Sequence, residues 1–282
     1  HDWTCTGAYM IYGADYNVYE QGTATVKVSA SVVVNKEAVY ELDSLFPAGG
    51  GDGAEGFTVQ AGGAFAGGGR SVASAGDIND DGFEDFIVGA DLDGPAQEAA
   101  YVVFGKAAGF SATFDATLLD GANGFRIDGS VGGSLGASVA GGADVNGDEI
   151  DDLILGAPSA NSDAGAAYVL FGKTTPFAAV VDPSVSLGVN GVRLDGRALD
   201  RAGASVAIGG DVNGDGIGDI LVGAPGSDPN NVYLVYGQSE PFASSIDLSA
   251  HEGQNGIGYF DTSAGSLGTS VDFVGDLNGD GF

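Results

Sequence analysis

The sequence predicts an all-β chain of repeated units, each with four short strands, stacked or arranged radially. Three observations carry that expectation. An acidic loop recurs at a near-constant interval, a short apolar run follows each copy, and a second apolar run ending in an aromatic residue and Gly comes after that. Short strands separated by turn residues, repeated at a fixed period, mark stacked or radial sheets.

The loop is clearest in GDVNGDGIGDILVGAP, residues 210–225. Asp211, Asn213 and Asp215 set oxygen-bearing side chains at alternate positions, and Gly216 permits the sharp turn after them. Asp219 returns a carboxylate at the ninth position, and Ile217 offers its carbonyl at the seventh. A hard cation takes six to eight oxygens at about 2.3–2.6 Å, so this is the layout of a calcium loop. The helical calcium loop is excluded, because its twelfth position needs Glu and here is Val222. The run that follows, Asp-Ile-Leu-Val-Gly-Ala-Pro, reads as a buried strand.

A first copy is formed by Asp77, Asn79, Asp81, Phe83 and Asp85, and a second by Asp144, Asn146, Asp148, Ile150 and Asp152. Asp276, Asn278 and Asp280 begin a fourth. The first positions lie 67, 67 and 65 residues apart. A small-residue strand precedes each loop, as in GSLGASVAGGAD at 133 and DRAGASVAIGGD at 200. The later apolar run is AYVVFG at 100, AYVLFG at 167 and VYLVYG at 232, and a Gly-rich segment with an apolar pair comes next, as in NGFRIDG at 123. One departure is Glu149, which holds the sixth position where the other loops have Gly and is expected either to strain that turn or to weaken its site.

These pieces resemble the FG-GAP repeats of integrin α-subunit β-propellers and of many bacterial surface proteins. The resemblance covers residues 45–282 well and residues 8–13 in part. It implies a β-propeller of four-stranded blades, about four repeats, with Ca²⁺ in the loop between the first two strands of each. It also implies roles in calcium binding and adhesion at an extracellular or cell-surface location.

Residues 1–13 then read as the end of a blade, because residues 8–13 match the third run, and residues 14–44 as an inserted β-hairpin with a turn at Asn35-Lys36. Residues 45–282 hold the repeats. Joined tail to head, the ends give DLNGDGFHDWTCTGAYMIYG, in which Asp2 takes the ninth position of the fourth loop. A tandem or head-to-tail array, a ring closed within one chain, and a fragment all accommodate that match.

A net charge of −30 with nine Lys and Arg excludes a phosphate-neutralising patch, and with it nucleic acid as partner. The apolar runs are too short for a transmembrane span, and no secretion signal is expected at the start. Cys5 is the single cysteine, so no internal disulfide forms, and it is expected to pack as a small hydrophobe. Gly63, Gly67, Gly68 and Gly69 are expected in tight turns.

Catalysis is not expected. Gly132, Ser134 and Gly136 satisfy G-x-S-x-G, yet that motif needs a strand-to-helix turn and a His partner, and the chain has only His1 and His251. Phe104, Phe171 and Tyr236 are expected in the core. The function expected is a calcium-stabilised structural or adhesive surface protein that self-associates or joins adjoining repeats. The alternative is a module that recognises a glycan or protein ligand through rim loops at 91–98, 161–163 and 228–231.

Overall fold

The computed structural model describes residues 56–60, 68–90, 98–130, 132–226, 230–250, 256–261 and 266–275. The chain divides into a small unit, His1–Gln60 with Ala108–Asp115, and a large one, Ala61–Ala107 with Ala116–Phe282. Strand β1 (Thr58–Gln60) precedes the first sheet, which contains β2 (Gly68–Gly76), β3 (Asp85–Ala90), β4 (Ala99–Val103) and, after the short β5 (Thr113–Asp115), β6 (Gly124–Asp128). The second contains β7 (Ser138–Ala143), β8 (Asp152–Ala157), β9 (Ala166–Leu170) and, after β10 (Val180–Val181), β11 (Gly191–Asp195). The third contains β12 (Ser205–Gly209), β13 (Asp219–Ala224), β14 (Asn230–Val235) and, after β15 (Ser245–Asp247), β16 (Gly256–Asp261).

Within each sheet the four main strands are antiparallel in chain order, 2-3-4-6, 7-8-9-11 and 12-13-14-16. The second and third strands of each set carry the apolar runs, and every residue of β4, β8 and β9 is buried. Continuous apolar runs of this length suit a strand covered on both faces. One cluster of buried side chains joins the first sheet to the second, with Phe125 stacked on Phe177 at 4.4 Å. Another joins the second to the third, around Val192, Leu194 and Phe242. Successive four-stranded sheets packed face to face fit a β-propeller.

The inner strands explain the small residues. β7 lies against both β2 and β12, and a Cβ on Gly141 would stand 2.9 Å from the Ala75 Cα. A side-chain hydrogen bond recurs where the sheets meet. Ser71 Oγ donates to the Gly136 carbonyl (2.8 Å), Ser138 Oγ to that of Gly203 (3.0 Å), and Ser205 Oγ to that of Gly268 (2.8 Å). The same three carbonyls occupy the space a Cβ would need on Gly89, Gly156 and Gly223, which are the glycines of the Val-Gly-Ala and Leu-Gly-Ala runs.

Each of the first two sheets has five strands, which corrects the expectation of four per unit. The connection before the outermost strand of one sheet lends a parallel strand to the sheet before it. β10 pairs with β6 and β15 with β11, and in the small unit β5 pairs with β1 in the same sense. The hydrogen bonds repeat: Arg126 N–H donates to Ala179 O (3.0 Å), Arg193 N–H to Ser244 O (3.1 Å) and Thr58 N–H to Ala112 O (2.9 Å). These straps share the pattern Phe-x-x-x-apolar-Asp, beginning at Phe110, Phe177 and Phe242. At two of them the Asp closes the strap by accepting the N–H two residues on, Asp182 from Ser184 (2.8 Å) and Asp247 from Ser249 (2.9 Å).

Gly68 and Gly69 belong to β2 and not to a tight turn; the register shifts between Gly68 and Ser71, where Gly69 takes a φ of +83°. Phe104 and Phe171 are buried as expected, whereas Tyr236 is only half-buried. Gly63, Gly67, Cys5, the hairpin at 14–44 and the segment 1–13 lie outside the described residues.

Replacing Gly156 with Ala drives a methyl group into the Gly203 carbonyl, so Gly156→Ala should lower stability by about 3 kcal/mol. Ser138→Ala, which removes one hydrogen bond at the same contact, should cost about 1 kcal/mol. Denaturant unfolding of both variants checks the order.

Candidate metal centre

Each acidic loop joins an inner strand to the next strand of its own sheet, β2 to β3, β7 to β8 and β12 to β13. The loops fold alike because their side chains satisfy their own backbone. The first Asp accepts the N–H groups of the fifth and sixth positions: Asp77 from Asp81 (2.9 Å) and Gly82 (2.7 Å), Asp144 from Asp148 (3.2 Å) and Glu149 (2.7 Å), Asp211 from Asp215 (3.0 Å) and Gly216 (2.7 Å). Asn79, Asn146 and Asn213 accept the fifth-position N–H and donate Nδ2 to the Asp there. The N–H groups of Phe83, Ile150 and Ile217 donate in turn to the carboxylates of Asp81, Asp148 and Asp215.

The sixth position requires left-handed backbone in all three loops, with φ of +89° at Gly82 and +88° at Gly216. Glu149 adopts it too, at +68°, and keeps the hydrogen bond to Asp144. The strain expected there is present as a backbone cost of about 1 kcal/mol, while the turn itself is preserved.

The ninth-position carboxylates are buried. Asp85 accepts from Ile78 N–H (3.2 Å) and Gly105 N–H (2.7 Å), Asp152 from Val145 (2.9 Å) and Gly172 (2.9 Å), Asp219 from Val212 (2.8 Å) and Gly237 (2.9 Å). Each therefore ties its loop to the end of the third strand of the same sheet. Burial pushes the Asp85 carboxyl up to about 7 and that of Asp152 up to about 8; the two N–H groups oppose this, and the acids of the same loop add to it. Asp219 moves the same way for the same reason.

These residues fit a hard divalent cation by their chemistry. Every donor is an oxygen, and each oxygen of Asp85, Asp152 and Asp219 accepts one N–H, which leaves carboxylate lone pairs for a metal. A cation would also offset the cost of ionising acids buried beside other acids. Among the described residues no three His, Cys, Asp or Glu side chains converge as a metal cluster, because the loop carboxylates turn toward their own backbone. Asp276, Asn278, Asp280 and Asp2 lie outside the described residues.

The loops are also joined to one another, which the motif spacing did not disclose. Asp151 Oδ2 accepts Asp77 N–H (2.9 Å), and Gly218 N–H donates to Asp144 O (2.9 Å), so the eighth position of one loop meets the first of the preceding loop. Lys173 N–H donates to Ile78 O (3.0 Å) and Gln238 N–H to Val145 O (3.0 Å). The sequence signal that points to these residues is the aromatic-Gly pair closing each third run: its Gly binds the loop of its own sheet, and the next residue binds the loop before it.

Ser134 lies in a left-handed turn at φ +59° that leads into strand β7, and its hydroxyl meets Ser159 Oγ at 3.4 Å. A nucleophile elbow leads into a helix, so the motif here is structural. Of the rim segments, Asn161, Ser162 and Asp163 form an exposed run with φ of +53°, +59° and +63°. Asn231 belongs to the core and not the rim: it is fully buried, with Nδ2 donating to Asp200 Oδ1 and Tyr233 Oη, both at 3.1 Å. Residues 91–97 and 227–229 lie outside the description.

The FG-GAP repeat family matches residues 135–170 and 202–236, and each match spans an inner strand, its acidic loop and the two strands that follow. The chain carries FG-GAP repeats. The first sheet repeats the same geometry around Asp77–Asp85 although the family match does not extend to it. Among curated relatives, integrin alpha-PS5 of Drosophila melanogaster is 29% identical over 169 residues, which is 57% of the chain and 15% of that protein. Integrin alpha-PS2 of Drosophila melanogaster is 30% identical over 177 residues, 59% of the chain and 12% of the relative. Integrin alpha-X of Homo sapiens is 36% identical over 94 residues, 33% and 8%. The chain thus spans a small part of the integrin alpha proteins it matches.

Substitutions at two positions separate the roles within the second FG-GAP loop. Asp152→Ala, which strands two backbone N–H groups, should lower stability by about 3 kcal/mol, and Asp152→Asn should fall between it and the parent. Glu149→Gly should raise stability by about 1 kcal/mol by relieving the left-handed residue. All three variants are read from denaturant midpoints in calcium-containing buffer.

Proposed function

We propose that this chain is a calcium-stabilised β-propeller segment of an extracellular or cell-surface protein, acting in adhesion or structural assembly. The observation that supports it is the three-fold repetition of one oxygen-lined loop, linked from sheet to sheet, within a chain that carries FG-GAP repeats. In this reading Asp77, Asn79, Asp81, Asp85 and the Phe83 carbonyl hold one Ca²⁺. Asp144, Asn146, Asp148, Asp152 and the Ile150 carbonyl hold a second, and Asp211, Asn213, Asp215, Asp219 and the Ile217 carbonyl a third. Asp276, Asn278 and Asp280, joined by Asp2 of an adjoining unit or of the same chain, make the fourth. Calcium supplies positive charge where carboxylates would otherwise repel one another.

Adhesion follows from the family resemblance and from integrin alpha relatives. The sequence offers no basic surface for nucleic acid, and no helix among the described residues is long and apolar enough to cross a membrane. Recognition of a glycan or protein ligand at the rim is the second reading, favoured by the exposed left-handed run at Asn161, Ser162 and Asp163, since strained backbone of this kind gathers at ligand-binding sites.

Chelation should lower the thermal midpoint by about 10 °C or more, because ligand bound to three sites at saturating concentration contributes several kcal/mol. Asp215→Ala should lose about one calcium equivalent while the other loops stay filled. Calorimetry with and without chelator, and calcium titration of the variant, read both; an unchanged midpoint would overturn calcium stabilisation.

A further inference from the structure

The eighth loop position is Asp151 in the second loop and Gly218 in the third, and each faces the loop before it in a chemically opposite way. Asp151 Oδ2 accepts the N–H of Asp77, the first residue of the first loop, at 2.9 Å. Gly218 has no side chain to offer and donates its own N–H to the carbonyl of Asp144, the first residue of the second loop, at 2.9 Å. The other ties are common to both junctions, Lys173 N–H to Ile78 O and Gln238 N–H to Val145 O, each at 3.0 Å.

The ends of the inner strands are shaped to match. Gly76 precedes Asp77, and a Cβ there would collide with the Asp151 carboxyl group. At the next junction the sizes are exchanged. Ala143 precedes Asp144, and a Cβ on Gly218 would press on the Ala143 Cβ at 3.3 Å and on the Asp144 carbonyl oxygen at 3.1 Å. A carboxylate therefore has a seat at the first junction and none at the second. Within its own loop Asp151 stands between Ile150, whose N–H donates to Asp148 (3.0 Å), and Asp152, which accepts Val145 N–H and Gly172 N–H (both 2.9 Å). Its placement follows from the order of the second loop. What it holds is the backbone of Asp77, whose carboxylate closes the first loop on Asp81 and Gly82.

We propose that Asp151 is a positioning residue of the first calcium site, and that through it the first and second loops bind calcium with positive cooperativity. The inference rests on the reading of these loops as calcium sites. Calcium binding to the second loop, at the Ile150 carbonyl and Asp152 on either side of Asp151, fixes the carboxylate that fixes Asp77. By reciprocity, a filled first loop favours the second by the same factor. A hydrogen bond to a charged acceptor is stronger than one between neutral groups. The coupling is therefore greater between the first and second loops than between the second and third, where Gly218 N–H meets a carbonyl.

The test is a calcium titration of the full chain followed by NMR at the Gly82 amide, which bonds to Asp77 within the first loop. Emptying the second loop with Asp148→Ala should weaken calcium binding at the first by about fivefold or more; emptying the third with Asp215→Ala should change it far less. Asp151→Gly, which installs the residue of the third loop, should weaken the first site to a similar degree and abolish the effect of Asp148→Ala. Asp151→Asn keeps an acceptor for the Asp77 N–H and should keep the coupling. In chelator, hydrogen exchange of the Asp77 amide should be faster in Asp151→Gly than in the parent, a readout that needs no metal. Equal affinity at the first loop in the parent, Asp148→Ala and Asp151→Gly would overturn the coupling and leave calcium binding standing. Asp151→Asn behaving as Asp151→Gly would do the same, since charge alone would then carry the effect. No calcium-dependent shift at any loop amide would overturn the calcium reading and this inference together.

Discussion

The structure depends on a contact where neighbouring sheets come too close for a side chain. The carbonyl of Gly136, Gly203 or Gly268 enters the space above a glycine of the preceding sheet and accepts a Ser hydroxyl there. Because the same carbonyl meets both Gly and Ser, the spacing and angle between successive sheets are set by covalent geometry and one hydrogen bond, without the tolerance that larger packed side chains would allow. The small inner strands, the apolar middle strands and the positions of the acidic loops all follow from that approach. It also explains why Gly and Ser persist inside strands, where each alone is a poor strand former.

Fixing the inner strands gathers the acidic loops along one end of the sheets. They then connect, loop to loop, through the Asp151 carboxylate and the backbone N–H groups of Gly218, Lys173 and Gln238. A carboxylate buried at the ninth position stands at the centre of each connection, holding its loop and the end of the third strand together. Concentrated negative charge in so connected a region opposes folding unless it is neutralised or dispersed. A cation in each loop would act on the joints between sheets as much as on the loop that binds it.

Much of this was legible in the sequence because it repeats. The 67-residue interval located the loops, and the apolar runs located β3, β4 and β6 with their counterparts, since a buried strand and its turn leave a compositional mark on consecutive residues. The straps left almost none. β10 has two residues, and what makes it a strand is a partner 54 residues earlier, Arg126 against Val180. Three of the four ties between loops run from backbone to backbone, and only Asp151 reaches the neighbouring loop with a side chain, so residue type announces little of them. Asn231 was misplaced at the rim because Asn next to Pro-Asn reads as a turn; its burial beside Asp200 and Tyr233 rests on tertiary contacts far apart in sequence. Tyr236 matches Phe104 and Phe171 in the repeat, yet no described sheet follows to cover it.

The straps give the assembly a polarity. The first and second sheets are each covered by a segment belonging to the sheet that follows, and the strap sits between two strands of that successor, so it is anchored at both ends. Loosening a later sheet therefore strips the cover from the outer strand of the one before it. Loosening an earlier sheet leaves the outer strand of the later one covered, because that cover comes from further along the chain. Fraying is thus transmitted toward the N-terminus and resisted in the other direction, and the order in which proteases reach these sheets is written into the direction of the stitch.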